Sequence, residues 1–89
     1  MNRDKAAGLF KKLQVTPRFS TAVVTGVVQL DGRAAVMLTY PNQNYEIHER
    51  VELRMMRALK LEVDEYEALR DCTLSRFGYL EILRHRMAH

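Results

Sequence analysis

Residues 20–40, STAVVTGVVQLDGRAAVMLTY, constrain the fold more than any other part of the chain. β-Branched and other apolar residues dominate both halves of this segment. Between them stands Asp31-Gly32, a pair that tolerates the positive φ values of a tight type I′ turn. The segment is therefore predicted to form a two-stranded β-hairpin in which Leu30 faces Arg33.

Both faces of this hairpin are apolar, because side chains alternate across a strand. Beyond the turn, Val28 is expected to face Ala35. In this register one face carries Val23, Val27, Val36, Leu38 and Tyr40. The other face carries Val24, Val28, Leu30, Ala35 and Met37. A change of register cannot hide both sets of side chains against a single layer.

An isolated hairpin is marginally stable in water, so its second face needs a cover. In one arrangement, helices of the same chain pack on both sides of the hairpin. In the other, which we favour, the hairpins of two copies join into a four-stranded sheet without exposed edges. The predicted dimer contacts are the residues of the second face: Val24, Val28, Leu30, Ala35 and Met37.

A short amphipathic helix is predicted before the hairpin, at residues 2–14. Its apolar residues recur at the helical spacing i, i+3, i+4, i+7, namely Ala6, Leu9, Phe10 and Leu13. Asn2 or Asp4 can serve as its N-cap. Pro17 ends the helix, because proline disfavours helical geometry at the residue before it.

Two helices are predicted after PNQN, residues 41–44. The first begins with Asn44 as N-cap and Glu46 in its first turn, and one of its faces carries Ile47, Val51, Met55, Ala58 and Leu59. A break near Val63-Asp64 precedes the second helix, for which Asp64 is the expected N-cap. That helix is expected to kink at residues 72–75 or at Gly78.

These elements predict one α+β domain over residues 1–89, in the order αββαα and dimeric through the hairpin. An apolar fraction of 47% with 28% charged residues is typical of a folded globular chain. The one cysteine, Cys72, favours a reducing compartment, most simply the cytoplasm. The chain contains no apolar run of the ~20 residues that span a bilayer, so we expect no membrane role.

Three arginines, Arg50, Arg54 and Arg57, follow the spacing i, i+4, i+7 and are expected to form a row along one side of a helix. A row of like charges suits a partner that supplies phosphates or carboxylates. The simpler reading of the row is a solvated face eased by Glu46 and Glu49. The net charge of +3 permits an acidic partner without requiring one.

The two C-terminal helices carry more apolar residues than a small core needs, which favours binding of another protein. The predicted partner-binding surface combines these apolar residues with the arginine row: Arg50, Leu53, Arg54, Met56, Arg57, Leu61, Tyr79 and Ile82. The alternative is a dimeric nucleic-acid-binding regulator in which Arg50, Arg54 and Arg57 of each copy contact phosphates.

The C-terminal segment adds weaker signals. Residues 71–86 share some features with a DNA recognition helix, but Gly78 lies inside the helix rather than in a turn before it. The arginines near the C-terminus are explained by the helix dipole. His85 and His89 are four residues apart, a spacing that can hold a metal ion, but the sequence fixes no third ligand.

The sequence contains no nucleophile–base pair, carboxylate pair or glycine-rich phosphate loop. Cys72, beside Leu69 and Leu74, is expected to be a buried and inert thiol. We therefore expect a non-catalytic regulator or adaptor without a cofactor, whose partners are a second copy of itself and another protein.

Overall fold

Three antiparallel strands and four helices make up residues 1–43 and 46–88, the part of the chain that the computed structural model describes. In chain order the elements are α1 (Arg3–Lys12), β1 (Arg18–Phe19), β2 (Val23–Leu30), β3 (Arg33–Pro41), α2 (Glu49–Ala58), α3 (Val63–Arg70) and α4 (Arg76–Met87). The α+β class is confirmed. The predicted order αββαα is wrong, because a third strand precedes the hairpin and three helices follow it.

Helix α1 forms as the sequence predicts. The Asn2 side chain accepts a hydrogen bond from the backbone N–H of Lys5 at 2.8 Å, so Asn2 is the N-cap. The four apolar residues of its predicted stripe are buried: Ala6, Leu9, Phe10 and Leu13. The helix ends before Gln14, whose φ of 56° is left-handed.

The hairpin turn is also confirmed, since Asp31 and Gly32 have φ values of 53° and 80° and Leu30 pairs with Arg33. The predicted register beyond it is wrong. An irregularity between Val28 and Gln29 shifts the pairing by one residue, so that Val28 pairs with Val36 and not with Ala35. A bulge of this kind adds one residue to one strand and so changes which side chains share a face.

This shift brings the buried apolar residues of both strands together on one side of the sheet, which we call the inner face. Its buried side chains are Val24, Val28, Val36, Leu38 and Tyr40. The core joins them to residues of all four helices, among them Phe10, Met55, Leu69, Tyr79 and Leu83. The helices therefore cover one face, and the opposite, outer face is left without a covering layer in the described part of the chain.

The five predicted dimer contacts consequently do not share a face. Val24 and Val28 are only 0% and 2% exposed within their own chain, and Leu30 and Ala35 pack partly against the same core. Val24 and Val28 therefore cannot contact a second copy, and Leu30 and Ala35 are only partly accessible to one. Met37 alone is well exposed, at 66%, and it pairs with Val27 on the outer face.

Strand β1 is the element that the sequence prediction missed. Arg18 pairs with Thr25 and Phe19 with Val24, and Asn42 Nδ2 donates to the carbonyl oxygen of Ser20 at 2.8 Å. A strand of two residues is too short to show an alternating pattern in the sequence.

The start of α2 differs from the prediction. Asn44 lies outside the described residues, and the helix begins at Glu49, with His48 as N-cap. His48 Nδ1 accepts a hydrogen bond from the N–H of Arg50 at 3.0 Å. Glu46 therefore precedes the helix instead of lying in its first turn.

The last predicted helix is in fact two helices. Glu62 caps α3 in a reciprocal pair with Glu65, whose carboxylate accepts from the Glu62 N–H at 2.8 Å, so Asp64 lies inside the helix. Residues 71–75 separate α3 from α4, where Ser75 Oγ accepts from the N–H of Gly78 at 3.0 Å. The expected kink at residues 72–75 is thus a complete break, and Gly78 lies within α4.

Gly26 lets the end of α1 approach the sheet closely. A Cβ atom on Gly26 would lie 2.6 Å from Phe10 Cε2 and nearer still to Val15 Cγ1. Phe10 in turn packs edge-on against Tyr40, with ring centroids 5.1 Å apart. The contact between α1 and the sheet therefore depends on the absence of a side chain at Gly26.

Gly26→Ala is expected to lower the free energy of unfolding by about 1–3 kcal/mol, because buried Phe10 and Val15 must move to admit a methyl group. Gly8→Ala is the matched control, since a Cβ there meets nothing within 4 Å and Gly8 lies in a helix. The control should gain up to about 1 kcal/mol through helix propensity. Urea unfolding of both variants measures the difference, and equal stabilities would contradict the close packing at Gly26.

Candidate functional site

The row of α2 arginines is exposed, as the helical spacing predicts. Arg50, Arg54 and Arg57 all face solvent, and none forms an ion pair with another residue of the described ranges. Glu49, beside the row, is also exposed and unpaired within those ranges. The three guanidinium groups are therefore available to an outside partner.

A groove of about 580 Å³ lies between α2 and α3, and we call it the α2–α3 groove. Its apolar lining consists of Leu53, Met56, Val63 and Tyr66. Leu53 is 40% exposed and Val63 57%, although both are large aliphatic residues. The rim carries both signs of charge, from Arg50 and Arg70 on one hand and Glu49 and Glu67 on the other. Such a lining suits a partner with an apolar side chain and flanking charges.

Glu52 fixes one wall of this groove. Its carboxylate accepts a hydrogen bond from the Tyr66 hydroxyl at 2.9 Å and one from Arg70 at 3.4 Å, and it pairs with the Met1 amino group at 3.4 Å. Burial raises the pKa of the Tyr66 phenol, and the bond to Glu52 raises it further. Tyr66 therefore remains a neutral donor, and its side chain holds α3 against α2.

The arginines of α3 and α4 bond within the protein. Arg86 donates to Glu65 at 2.9 Å and to the carbonyl oxygen of Lys60 at 2.7 Å, and Arg84 donates to Asp31 at the hairpin turn at 2.8 Å. These partners hold the pKa values of the Glu65 and Asp31 carboxyl groups below their usual range. The arginines near the C-terminus therefore join elements of the fold and differ from the α2 row.

The segment 71–86 contains a turn that its sequence does not reveal. Cys72 has a φ of 69°, so the left-handed residue between α3 and α4 is a cysteine and not a glycine. Arg76 of this segment donates to the carbonyl oxygen of Leu13 at 3.4 Å. With Arg84 and Arg86 also bonded, the cations of α4 have intramolecular partners.

Not all predicted partner-binding residues reach the surface. Leu61 and Tyr79 are 5% and 0% exposed and belong to the core, so their assignment to a partner surface is wrong. The Tyr79 hydroxyl donates to the carbonyl oxygen of Leu59 at 3.1 Å. Ile82 and Met56 are half-buried and pack against the core. The accessible part of the predicted surface is the arginine row with Leu53 and the exposed part of Met56.

Cys72 is exposed, which corrects the expectation of a buried thiol. It lies in the turn between α3 and α4, so its side chain is not on the apolar side of a helix. His89 falls outside the described residues. Within residues 1–43 and 46–88, three potential ligands drawn from His, Cys, Asp and Glu nowhere gather around one point. In the same ranges, every helix is too short or too polar to cross a bilayer.

Comparisons with other proteins do not assign the chain to a family. Neither a protein-family model, nor a curated protein, nor a solved structure matches it. A functional argument therefore rests on the geometry and charge of its own surfaces.

Tyr66→Phe is expected to lower the free energy of unfolding by about 1–3 kcal/mol, because it removes a hydrogen bond to a charged acceptor. Tyr40→Phe is the matched control, since Tyr40 is equally buried but its hydroxyl has no hydrogen-bond partner in the described structure. Urea unfolding compares the two. A loss of stability that is as large in Tyr40→Phe as in Tyr66→Phe would contradict the role of the Glu52 bond.

Proposed function

We propose that this protein is a non-catalytic regulator or adaptor that binds another protein at the α2–α3 groove and along the α2 arginine row. The partner contributes an apolar side chain, which enters the groove at Leu53 and Val63. Its carboxylates meet Arg50, Arg54 and Arg57. A cytoplasmic location, which the single cysteine favours, is part of the same proposal.

One observation carries this proposal: exposed apolar side chains of α2 and α3 adjoin the unpaired arginines of α2. Leu53 and Val63 leave large aliphatic surfaces open to solvent at the groove. Arg50 borders the same groove, so the apolar and the cationic features form one surface. Interfaces between proteins combine an apolar centre with a polar rim in this manner.

The alternative partner is a nucleic acid, whose phosphates would contact the same three arginines. The carboxylates of Glu49 and Glu67 on the groove rim disfavour it, because they repel a phosphate backbone. The apolar surface at Leu53 and Val63 also has no role in a phosphate contact. A protein partner accounts for both features.

Leu53→Asp is expected to weaken partner binding at least tenfold, because it places a charge in the apolar centre of the interface. Phe77→Asp is the matched control, as Phe77 is 76% exposed and lies on α4, outside the groove. Quantitative affinity capture from a cell extract should find a protein held by the unchanged chain and by Phe77→Asp but lost with Leu53→Asp. Titration of that purified protein then gives the two dissociation constants.

Identical capture by Leu53→Asp and Phe77→Asp would contradict the groove as the binding surface. Fluorescence anisotropy with a labelled duplex tests the nucleic-acid alternative on two triple variants of equal net charge. One replaces Arg50, Arg54 and Arg57 by Gln, and the other Arg3, Arg18 and Arg33. Tight duplex binding that only the first variant loses, with a salt slope reduced by about 3, would favour the nucleic acid over a protein.

We further propose that two copies associate through the outer face of the sheet. In β2 and β3 this face carries Val23, Thr25, Val27, Gln29, Met37 and Thr39, none of which is charged. Arg18 of β1 pairs with Thr25 and so lies on the same face, which leaves the part around Val27 and Met37 as the area where two copies of this chain, with its net charge of +3, can meet without bringing cations together. Val27 and Met37, 40% and 66% exposed, would lie at its centre.

Met37→Lys is expected to convert the dimer into a folded monomer, because it places a cation from each copy in the shared face. Val28→Lys, one residue along from Val27, should instead unfold the chain, since Val28 belongs to the core. Sedimentation velocity gives the mass and circular dichroism the folded state. A monomeric unchanged chain, or a Met37→Lys variant that stays dimeric, would contradict association through this face.

A further inference from the structure

A second groove, of about 450 Å³, lies between α1 and β1, and we call it the α1–β1 groove. Phe10, Val15, Phe19 and Tyr40 supply most of its apolar lining. Phe19 leaves 69% of its surface exposed there, which is a large aromatic area for a small chain to leave in water. A groove of this volume with mostly apolar walls falls within the range of small-molecule sites.

Tyr40 lines this groove and carries a hydroxyl that has no hydrogen-bond partner among the described residues. The residue is 2% exposed, yet its hydroxyl forms no hydrogen bond with any described residue. Two other buried tyrosines, Tyr66 and Tyr79, both donate to an oxygen atom of the protein. In the described structure, every fully buried side-chain nitrogen or oxygen atom has a hydrogen-bond partner. Because the Tyr40 hydroxyl has none, its oxygen atom must be partly exposed to solvent.

The charges of the groove favour an anion. Arg3 and Lys11 line it from the two ends of α1, about two turns apart, and neither has an ion-pair partner in the described ranges. Asp4 contributes the one carboxylate of the lining, so the cations are in excess. Burial raises the pKa of Tyr40, and the positive charge of Arg3 opposes that rise. The Tyr40 hydroxyl therefore stays protonated at physiological pH and can donate a hydrogen bond. The positive charge of Arg3 lies close enough to act on it.

We propose that the α1–β1 groove binds a small hydrophobic carboxylate, with its apolar body against Phe19 and Phe10 and its carboxylate on Arg3 and the Tyr40 hydroxyl. This site is separate from the α2–α3 groove, so it stands whether or not the chain binds a protein there. It accounts for the exposed ring of Phe19, for the unbonded phenol and for the two unpaired cations of α1.

The test uses 8-anilinonaphthalene-1-sulfonate, a fluorescent anion with an aromatic body, as the probe. The probe should bind the intact chain with increased fluorescence. Decanoate, kept below its micelle concentration, should displace it. 1-Decanol has the same chain length without the charge, and it should need at least tenfold higher concentration, because it lacks the interaction with Arg3.

Three variants assign the contacts. Phe19→Ala should weaken displacement by decanoate and by decanol alike, because both lose the apolar wall. Arg3→Gln and Tyr40→Phe should each raise the apparent dissociation constant of decanoate about tenfold and leave that of decanol unchanged. Neither Arg3 nor Tyr40 forms a side-chain hydrogen bond in the described structure, so both variants should fold.

Phe77→Ala and Arg33→Gln are the matched controls, since they remove an exposed ring and an exposed cation from outside the groove. Both should bind the probe and decanoate as the unchanged chain does. Failure of the probe to bind, equal displacement by decanoate and decanol, or an equal loss in Phe77→Ala and Phe19→Ala would each overturn the proposal.

Discussion

The packing of Phe10 and Val15 over Gly26 determines much of the architecture. Because β2 presents no side chain there, the end of α1 can approach the sheet backbone, and Phe10 reaches the ring of Tyr40. The chain then leaves α1 close to the edge of β2, where β1 pairs. Phe10 and Val15 thereby line the α1–β1 groove, and strand pairing places Phe19 and Tyr40 on either side of Val24 as its other walls. The shape of this groove therefore depends on packing in the core.

The irregularity at Val28 and Gln29 has a comparable effect two residues further along β2. It places Val36, Leu38 and Tyr40 with Val24 and Val28, so that one face supplies the core and the other carries polar residues interspersed with Val23, Val27 and Met37. A chain of 89 residues has too few helices to cover two apolar faces, and four helices on one face make a two-layer fold that it can complete. The exposed Val27 and Met37 are the remaining apolar part of the outer face.

The sequence predicted those features of the fold that depend only on residues close together in the chain. Asp31-Gly32 determines its own turn, Asn2 caps α1, and the stripe from Ala6 to Leu13 determines which side of α1 is buried. The exposed arginine row followed from helical spacing in the same way.

The bulge could not be predicted, because no particular residue type marks the position at which a strand gains one extra residue. The breaks after Leu59 and Arg70 depend on the left-handed conformations of Lys60 and Cys72. A reading of the sequence expects glycine or asparagine at such positions. Since those breaks reorient the helices that follow, Leu61 and Tyr79 were misplaced on the surface.

Six of the ten arginines form two groups that differ in their surroundings. Arg70, Arg84 and Arg86 each meet a carboxylate from another element, and they join α3 to α2, α4 to the hairpin turn and α4 to α3. Arg50, Arg54 and Arg57 have no such partner in the described ranges, and Arg50 lies beside Leu53 and Met56 of α2 and Val63 of α3 at the α2–α3 groove. Exposed ion pairs contribute little to stability, so pairing alone does not explain why a cation is retained. An unpaired row of arginines beside exposed aliphatic side chains is the combination on which the proposed protein-binding role rests.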